Sequence, residues 1–311
     1  MREKMKILIG YDGSDGAHEM LDELKYAGLP LEPDVFVASV SETWIPMPLS
    51  YGGVETSFVD EEISGVADAR ALAREAADHL KAAFPSWNVG HAAASGSPSG
   101  VLLAKAEEWK PDLIVVGSEG HSALGRFFLG SVSQSVMIHA PCSVRIARPS
   151  SSERGPDQPA RLVVGIDGSE QADLAVSEII SRNWPAGSEV RVVTAMAVLF
   201  GGDLQRYDLH KVPPKLMATE TYQAEKARLD KITGAAAQRL EDAGFEVSAV
   251  VKVGDPKSLL LSEAEDCKAD CIFVGATGLG RIGRLLIGSV SSAVAARAKC
   301  SVEVVREAKA S

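Results

Sequence analysis

The residue pattern best suited to chemistry in this sequence is a glycine loop that leads into a predicted helix. Gly117 and Gly120 are followed by nine residues and then by Gly130-Ser131, where the helical pattern SVSQSVMIHA begins. Gly117 leaves room for a flat ring or a sugar against the backbone, Gly120 allows a positive φ, and Ser131 is a suitable N-cap. Because a helix N-terminus presents unpaired N–H groups and a positive dipole, the loop predicts a phosphate-binding site.

The same pattern occurs a second time. Gly275 and Gly278 are followed by nine residues and then by Gly288-Ser289. Glycines also end strands in many α/β proteins, and Ser-Val begins many helices, so one copy would be equally consistent with a purely structural role. Two copies with identical spacing favour binding.

A carboxylate follows the first predicted strand of each copy. The segment GYDGS (10–14) matches GIDGS (165–169), and Asp12 and Asp167 could accept hydrogen bonds from a ribose hydroxyl or an adenine amino group. The alternative is a turn-forming aspartate followed by a serine N-cap. The position beside the glycine loop, at the end of the strand expected to be central, favours binding. The second strands end at Val40 and Ala195, whose backbone groups could read an adenine edge.

Two similar motifs are rejected. GLGRIG (278–283) fits G-x-G-x-x-G, but it follows the fourth predicted strand rather than the first and is not repeated in the first copy. P-loop spacing occurs in GRFFLGS (125–131) and GRLLIGS (283–289), but both lack the lysine that precedes the serine in a P-loop. Fast P-loop-type hydrolysis is therefore not expected. Arg126 and Arg284 lie at matching positions, either near a phosphate or as solvated loop residues. No nucleophile–base pair recurs in both copies, which argues against a hydrolase.

The chain is an internal duplication. ILIGYDGSDGA (7–17) returns as LVVGIDGSEQA (162–172), and PDLIVVGS (111–118) returns as ADCIFVGA (269–276). A length of 311 residues suits two domains. We expect the first domain over 1–149, a linker rich in Pro, Ser and charge over 150–160, and the second domain over 161–311.

Short apolar runs alternate with helical patterns in each copy. In the first copy strands are predicted at 6–10, 34–40, 87–93, 112–117 and 143–147, and helices at about 15–27, 61–83, 99–109 and 131–139. This order predicts an α/β fold, with two doubly wound, Rossmann-like domains in tandem, each built on a five-stranded parallel sheet. Because ligands bind beyond the carboxyl ends of such strands, the glycine and aspartate loops are expected to lie together.

Composition excludes several classes of protein. The net charge of -10 disfavours general binding of nucleic acid or of an anionic membrane. The four cysteines are too few and too scattered for a disulfide-stapled secreted domain, and neither they nor the six histidines have metal-ligand spacing. No apolar run reaches bilayer length and the N-terminus does not look like a signal peptide, so we expect a cytoplasmic protein.

The G-x2-G-x9-G-[S/T] loop, together with D-G-S after the first strand, resembles the universal stress protein family. The match covers both halves, so the chain resembles a tandem universal stress protein. The resemblance implies the five-stranded fold of that family and, in its glycine-motif branch, bound ATP with Mg2+ accompanying the nucleotide. The first implied site comprises Gly10, Asp12, Val40, Gly117, Gly120, Gly130, Ser131 and Val132. The second comprises Gly165, Asp167, Ala195, Gly275, Gly278, Gly288, Ser289 and Val290.

Single-domain members commonly dimerise through their last strands, so the resemblance implies that SVRIA (143–147) and SVEVV (301–305) pair within this chain, and a homodimer is a further expectation. We expect an ATP-binding stress-response protein whose nucleotide sets a conformation or a preference for a protein partner. The alternatives are a slow ATPase or adenine-nucleotide hydrolase, and a nucleotide-free scaffold that binds proteins through loops 41–60 and 197–217.

Overall fold

The computed structural model describes residues 4–42, 58–118, 129–149, 155, 157–196, 217–278 and 287–307, with only the backbone at 58–64. The chain forms two compact units, residues 1–23 with 30–148, and residues 24–29 with 149–307. The predicted linker and the two loops 41–60 and 197–217 fall mostly outside the described residues and stay predictions.

The first unit is a parallel sheet with strand order β3-β2-β1-β4-β5. Its strands are β1 (Lys6–Gly10), β2 (Asp34–Ser41), β3 (Asn88–Ser95), β4 (Leu113–Gly117) and β5 (Ser143–Ala147). Its helices are α1 (Asp15–Glu23), α2 (Phe58–Ala83), α3 (Pro98–Trp109) and α4 (Ser131–His139). A 3-10 turn, Leu24–Tyr26, follows α1, where the sequence pattern predicted a continuous helix to residue 27.

The second unit repeats this order as β8-β7-β6-β9-β10. Its strands are β6 (Arg161–Gly165), β7 (Glu189–Met196), β8 (Glu246–Val253), β9 (Cys271–Gly275) and β10 (Ser301–Val305). Its helices in the described residues are α5 (Glu170–Ser181), α6 (Glu220–Asp242), α7 (Pro256–Asp266) and α8 (Ser289–Arg297). The predicted doubly wound α/β fold, with five parallel strands in each unit, is confirmed.

The central strands are buried on both faces. In β4, Leu113 to Val116 are at most 3% exposed, and in β9 Cys271 to Val274 have the same low exposure. Such continuous apolar runs are typical of parallel strands that have helices on both sides. The carboxyl ends of β1 and β4, and of β6 and β9, therefore meet at one rigid edge in each unit, where the following loops are held.

Close packing explains the glycine that ends β9. A Cβ on Gly275 would lie 2.7 Å from the Cβ of Gln171 and 2.8 Å from its carbonyl carbon, near the start of α5. The first turn of α5 therefore rests directly on the backbone of the strand end. Gly275 is required by this helix–strand contact, whether or not a ligand approaches the same backbone from elsewhere.

None of the helices in the described part of the chain has the length and apolar composition needed to cross a bilayer.

We expect Gly275→Ala to lower the free energy of unfolding by about 1–3 kcal/mol, because the added methyl group overlaps backbone that cannot move without displacing α5. Gly234 provides a matched control: it is exposed in the interior of α6, and nothing lies within 4 Å of the place that a Cβ would take. There Gly234→Ala should raise the free energy by about 0.5–1 kcal/mol through helix propensity. Urea denaturation of both variants measures the contrast, and equal effects of the two substitutions would contradict the packing role of Gly275.

Candidate functional site

Each unit has a cavity at the carboxyl edge of its sheet. The first cavity has a volume of about 450 Å³ and the second about 320 Å³. The predicted residues that line the first are Gly10, Asp12, Val40, Gly117, Gly130, Ser131 and Val132. Those that line the second are Gly165, Asp167, Ala195, Gly275, Gly278, Gly288, Ser289 and Val290. The fold thus brings together residues that lie far apart in the chain, while Gly120, Arg126 and Arg284 lie outside the described residues.

The helix that faces each cavity begins without a side-chain cap. The N-cap of α4 is Gly130 and that of α8 is Gly288, and neither helix has a side-chain capping hydrogen bond. The expectation that Ser131 caps its helix was wrong, since Ser131 and Ser289 are the first helical residues. A glycine N-cap leaves the first N–H groups exposed to the cavity, because no side-chain oxygen competes for them.

Hydrogen bonds join the last residue of each glycine loop, and the helix that follows it, to the end of the preceding strand and the residue after it. The Gly130 amide donates to the Ser118 carbonyl at 2.9 Å, and the Gly288 amide donates to the Ala276 carbonyl at 2.6 Å. One turn into the helices, the Ser133 hydroxyl donates to the Gly117 carbonyl at 2.5 Å. Ser291 makes the equivalent bond to Gly275 at 2.6 Å. These bonds fix the helix N-terminus relative to the strand end.

The aspartate loops are tight turns that hold the carboxylates in place. Asp12 Oδ1 accepts hydrogen bonds from the Ser14 amide at 3.0 Å and the Ser14 hydroxyl at 2.6 Å. Asp167 Oδ1 accepts one from the Ser169 amide at 2.9 Å. The intervening Gly13 has φ +77° and Gly168 φ +84°, values that favour glycine.

The same serines also support the helices that follow. Ser14 Oγ accepts from the Ala17 amide at 3.2 Å, and Ser169 Oγ accepts from the Ala172 amide at 3.3 Å as the N-cap of α5. The turn-and-cap interpretation of D-G-S is therefore correct, and the carboxylates line the cavities as well. The two interpretations that the sequence left open are compatible.

The glycine loop and the aspartate loop touch in the second unit. A Cβ on Gly278 would overlap the carboxylate of Asp167, so glycine at this position is required by the approach of the two loops. This contact joins the predicted phosphate-binding element to the predicted sugar-binding or base-binding carboxylate. A side chain at position 278 would push the two elements apart.

Sequence reasoning missed the apolar wall of each cavity. Leu102 on α3 and Leu260 on α7 line the two cavities, as do Pro98 and Pro256 at the starts of these helices. A Cβ on Gly10 would lie 2.8 Å from Leu102 Cδ1, so this glycine makes room for the leucine. The available signal was the recurrence of SPSGVLL (97–103) as DPKSLLL (255–261), a second repeat at the same offset as the glycine loops. Ser133 and Ser291 also recur, in GSVS, and were missed.

The polar side chains among the described lining residues of the two cavities are carboxylates and hydroxyls. No histidine or cysteine is among the lining residues, and in the described part of the chain no group of three His, Cys, Asp or Glu side chains could hold a metal ion. Of the matched cysteines outside the cavities, Cys142 is buried and Cys300 is partly buried. What the cavities offer is a helix N-terminus, a carboxylate and an apolar wall.

Comparison with known proteins gives a consistent picture. The model of the universal stress protein family matches residues 4–148 and again 160–306. A universal stress protein of Mycobacterium tuberculosis is 29% identical over 98% of both chains, and another from the same species is 27% identical over 97% of this chain and 96% of its own. A universal stress protein from Archaeoglobus fulgidus has a similar fold, with a TM-score of 0.63 at 21% identity over 98% of this chain and 97% of its own. The chain belongs to the universal stress protein family and contains two copies of its domain.

Proposed function

We propose that each unit binds one adenine nucleotide, with ATP as the physiological ligand, and that the occupied protein acts as a stress-response regulator. The observation that carries this proposal is the cavity built twice around a helix that begins at a glycine. Gly130 and Gly288 are in the same place in the two units, and each leaves the first helical N–H groups without a side-chain acceptor.

A polyphosphate fits the helix end of the cavity. Three consecutive lining residues at this end, Ser131 to Ser133 and Ser289 to Ser291, present amides at the positive end of the helix dipole. Hydrogen bonds to a charged oxygen are roughly twice as strong as those between neutral groups. A bound phosphate would therefore satisfy donors that the fold has left exposed on one side of a rigid sheet edge.

A ribose and a purine fit the carboxylate and the apolar wall of the cavity. Asp12 and Asp167 are held by Ser14 and Ser169, so each presents a carboxylate in a fixed position. A carboxylate accepts hydrogen bonds from sugar hydroxyls, while Leu102 and Leu260 offer apolar surface to a ring. Mg2+ would arrive with the nucleotide and screen its phosphates. Its ligands would come from the nucleotide and water.

The regulatory mechanism follows from the two elements that the nucleotide would bridge. A ligand that contacts both the helix start and the aspartate loop stabilises the conformation in which these lie together, by an amount equal to its difference in affinity between conformations. A protein partner that recognises this conformation would then bind more tightly when the nucleotide is present. The glycine loops lack the P-loop lysine at the residue before Ser131 and Ser289, which supports a binding protein over the ATPase alternative.

We expect the wild-type protein to bind ATP and the double variant Gly130→Val, Gly288→Val to lose affinity by at least about tenfold at each site. A Cβ at position 288 would lie 3.3 Å from the Ala276 carbonyl oxygen, so a valine would displace the helix start whose amides are proposed to donate to phosphate. Each lost charge-assisted hydrogen bond contributes about 1.5–3 kcal/mol. Isothermal titration calorimetry measures the change. Gly155→Val is the control, since nothing lies within 4 Å of that position. Unchanged tight binding in the double variant would reject the proposed phosphate site.

We also expect the nucleotide released from purified protein by denaturation to be mainly ATP, at a stoichiometry that steady-state incubation does not reduce. Mass spectrometry identifies the released nucleotide, and a phosphate-release assay measures turnover. Steady turnover that disappears in Asp12→Asn, Asp167→Asn would favour the hydrolase. Protein that neither retains nor binds any adenine nucleotide would favour the scaffold.

A further inference from the structure

The two cavities differ in the side chains behind the aspartate loop. In the first unit the Tyr11 hydroxyl and His18 Nε2 are 2.8 Å apart, and the same nitrogen is 3.4 Å from a carboxylate oxygen of Glu75 on α2. His18 Nδ1 is 3.0 Å from the Ser14 carbonyl oxygen. Ser14 in turn donates two hydrogen bonds to Asp12. A continuous chain of hydrogen bonds thus joins a histidine on the helix surface to the carboxylate of the cavity.

The second unit has none of these three side chains. Ile166 is equivalent to Tyr11 and Asp173 to His18, from the repeat 7–17 and 162–172. On the long helix the equivalence comes from the structure: Leu72 lies against Gly13 as Ile232 lies against Gly168. Three residues further on, Glu75 therefore corresponds to Ala235. The fold is the same, while the position that holds a histidine in the first unit holds an aspartate in the second.

The geometry assigns the protons of His18. The Ser14 carbonyl is an acceptor, so Nδ1 carries a hydrogen in every state. In the neutral ring, Nε2 is the acceptor of the Tyr11 hydroxyl hydrogen. When Nε2 takes a proton from solvent it becomes a donor towards Tyr11 and Glu75, and the hydroxyl of Tyr11 must turn its own hydrogen to another acceptor. Protonation therefore reverses one hydrogen bond and adds a positive charge next to the Asp12 loop.

The surroundings of His18 favour its charged form. The hydrogen bond to the Ser14 carbonyl has the largest effect and raises the pKa of His18; burial opposes it, and Glu75 and Asp15 add to the rise, so the pKa lies above its usual value. Burial, Glu75 and Asp12 raise the pKa of Tyr11 to about 12, so the phenol stays neutral at physiological pH. Within the described part of the chain, two elements pack on α1, namely β4 and α2. The described residues of β4 carry no ionisable group. Besides Glu75, α2 has His79, whose Nε2 lies 3.3 Å from Oδ1 of Asp22 on α1.

We propose that His18 is a positioning residue that makes ligand affinity at the first cavity depend on pH, a dependence that the second cavity lacks; this inference rests on the nucleotide binding proposed above. Charged His18 places a cation behind the Asp12 loop, where it favours an anionic ligand. Affinity for a nucleotide at the first cavity therefore rises as pH falls through the His18 transition. The nucleotide affinities of the two domains would then change differently with pH.

Linkage also sets the sign for stability. A histidine whose pKa is raised on folding adds stability below its unfolded value near 6.5, and this contribution is lost as pH rises through the folded pKa. The His18 side chain is 47% exposed, so solvent screens the interaction and the stability effect is small. The ligand affinity is the more sensitive measurement.

The test uses the full chain with one cavity disabled at a time. In the Gly288→Val background, ATP titrates the first cavity, and in the Gly130→Val background it titrates the second. When the pH is lowered from about 8 to about 6, we expect the ATP affinity of the first cavity to increase by a factor about three times larger than that of the second. The comparison is between cavities because the terminal phosphate of ATP takes up a proton in the same range. His18→Gln should abolish the difference, and Asp173→Asn, the matched change in the second unit, should leave the second cavity unchanged.

A reciprocal measurement needs no variant. If ATP binding is coupled to His18, saturating ATP raises the NMR-determined pKa of His18 by about half a unit, equivalent to the same threefold change. Equal pH dependence at both cavities, or an unshifted His18 while ATP occupies the first cavity, would overturn the inference and leave the proposed function standing. Absence of ATP binding at every pH would overturn the proposed function and the inference with it. Retained pH dependence in His18→Gln would assign the effect to another group.

Discussion

The site depends on a helix whose N-cap residue has no side chain. An α-helix has N–H groups in its first turn that no carbonyl within the helix can accept, and most helices satisfy some of them with a Ser, Thr, Asp or Asn cap. In this protein α5 follows that rule through Ser169, whereas α4 and α8 have glycine N-caps, Gly130 and Gly288, and no side-chain capping bond. Each cavity is lined by the start of one of these two uncapped helices. Their exposed amides make the sheet edge suitable for an anion.

Rigid attachment turns those amides into a defined site. The Ser133 and Ser291 hydroxyls tie each helix to a strand-end carbonyl, and the strands themselves are buried on both faces. A site whose donors are already fixed loses little conformational entropy when a ligand binds. In the aspartate loops one serine has two roles: Ser14 and Ser169 each hold a carboxylate and support the start of the following helix. Glycine is needed in these loops for two different reasons, a positive φ at Gly13 and close packing at Gly275.

The two units share the backbone of the site and differ in the side chains around it. Tyr11, His18 and Glu75 in the first unit stand where the second has Ile166, Asp173 and Ala235. Buried charges differ as well: Arg145 of β5 is fully buried with Glu23, whereas Arg182 of the second unit pairs with Glu303 of β10. A buried pair is costly to break because either partner alone would be an uncompensated charge. The units therefore share backbone hydrogen bonds and apolar packing, and they diverge where side chains carry charge.

Sequence alone determined the duplication, the α/β class, the order of strands along the chain and the glycine and aspartate residues that line both cavities. These features are local, since apolar periodicity and glycine spacing are written in neighbouring residues and repeated in both halves. Only the tertiary structure decided what depends on residues distant in the chain. It showed that Gly130 rather than Ser131 is the N-cap, that Gly275 makes room for Gln171, that Leu102 forms a cavity wall, and that Tyr11 meets His18 and Glu75. Distances between elements follow from how helices pack on the sheet, and no spacing within a single segment encodes them.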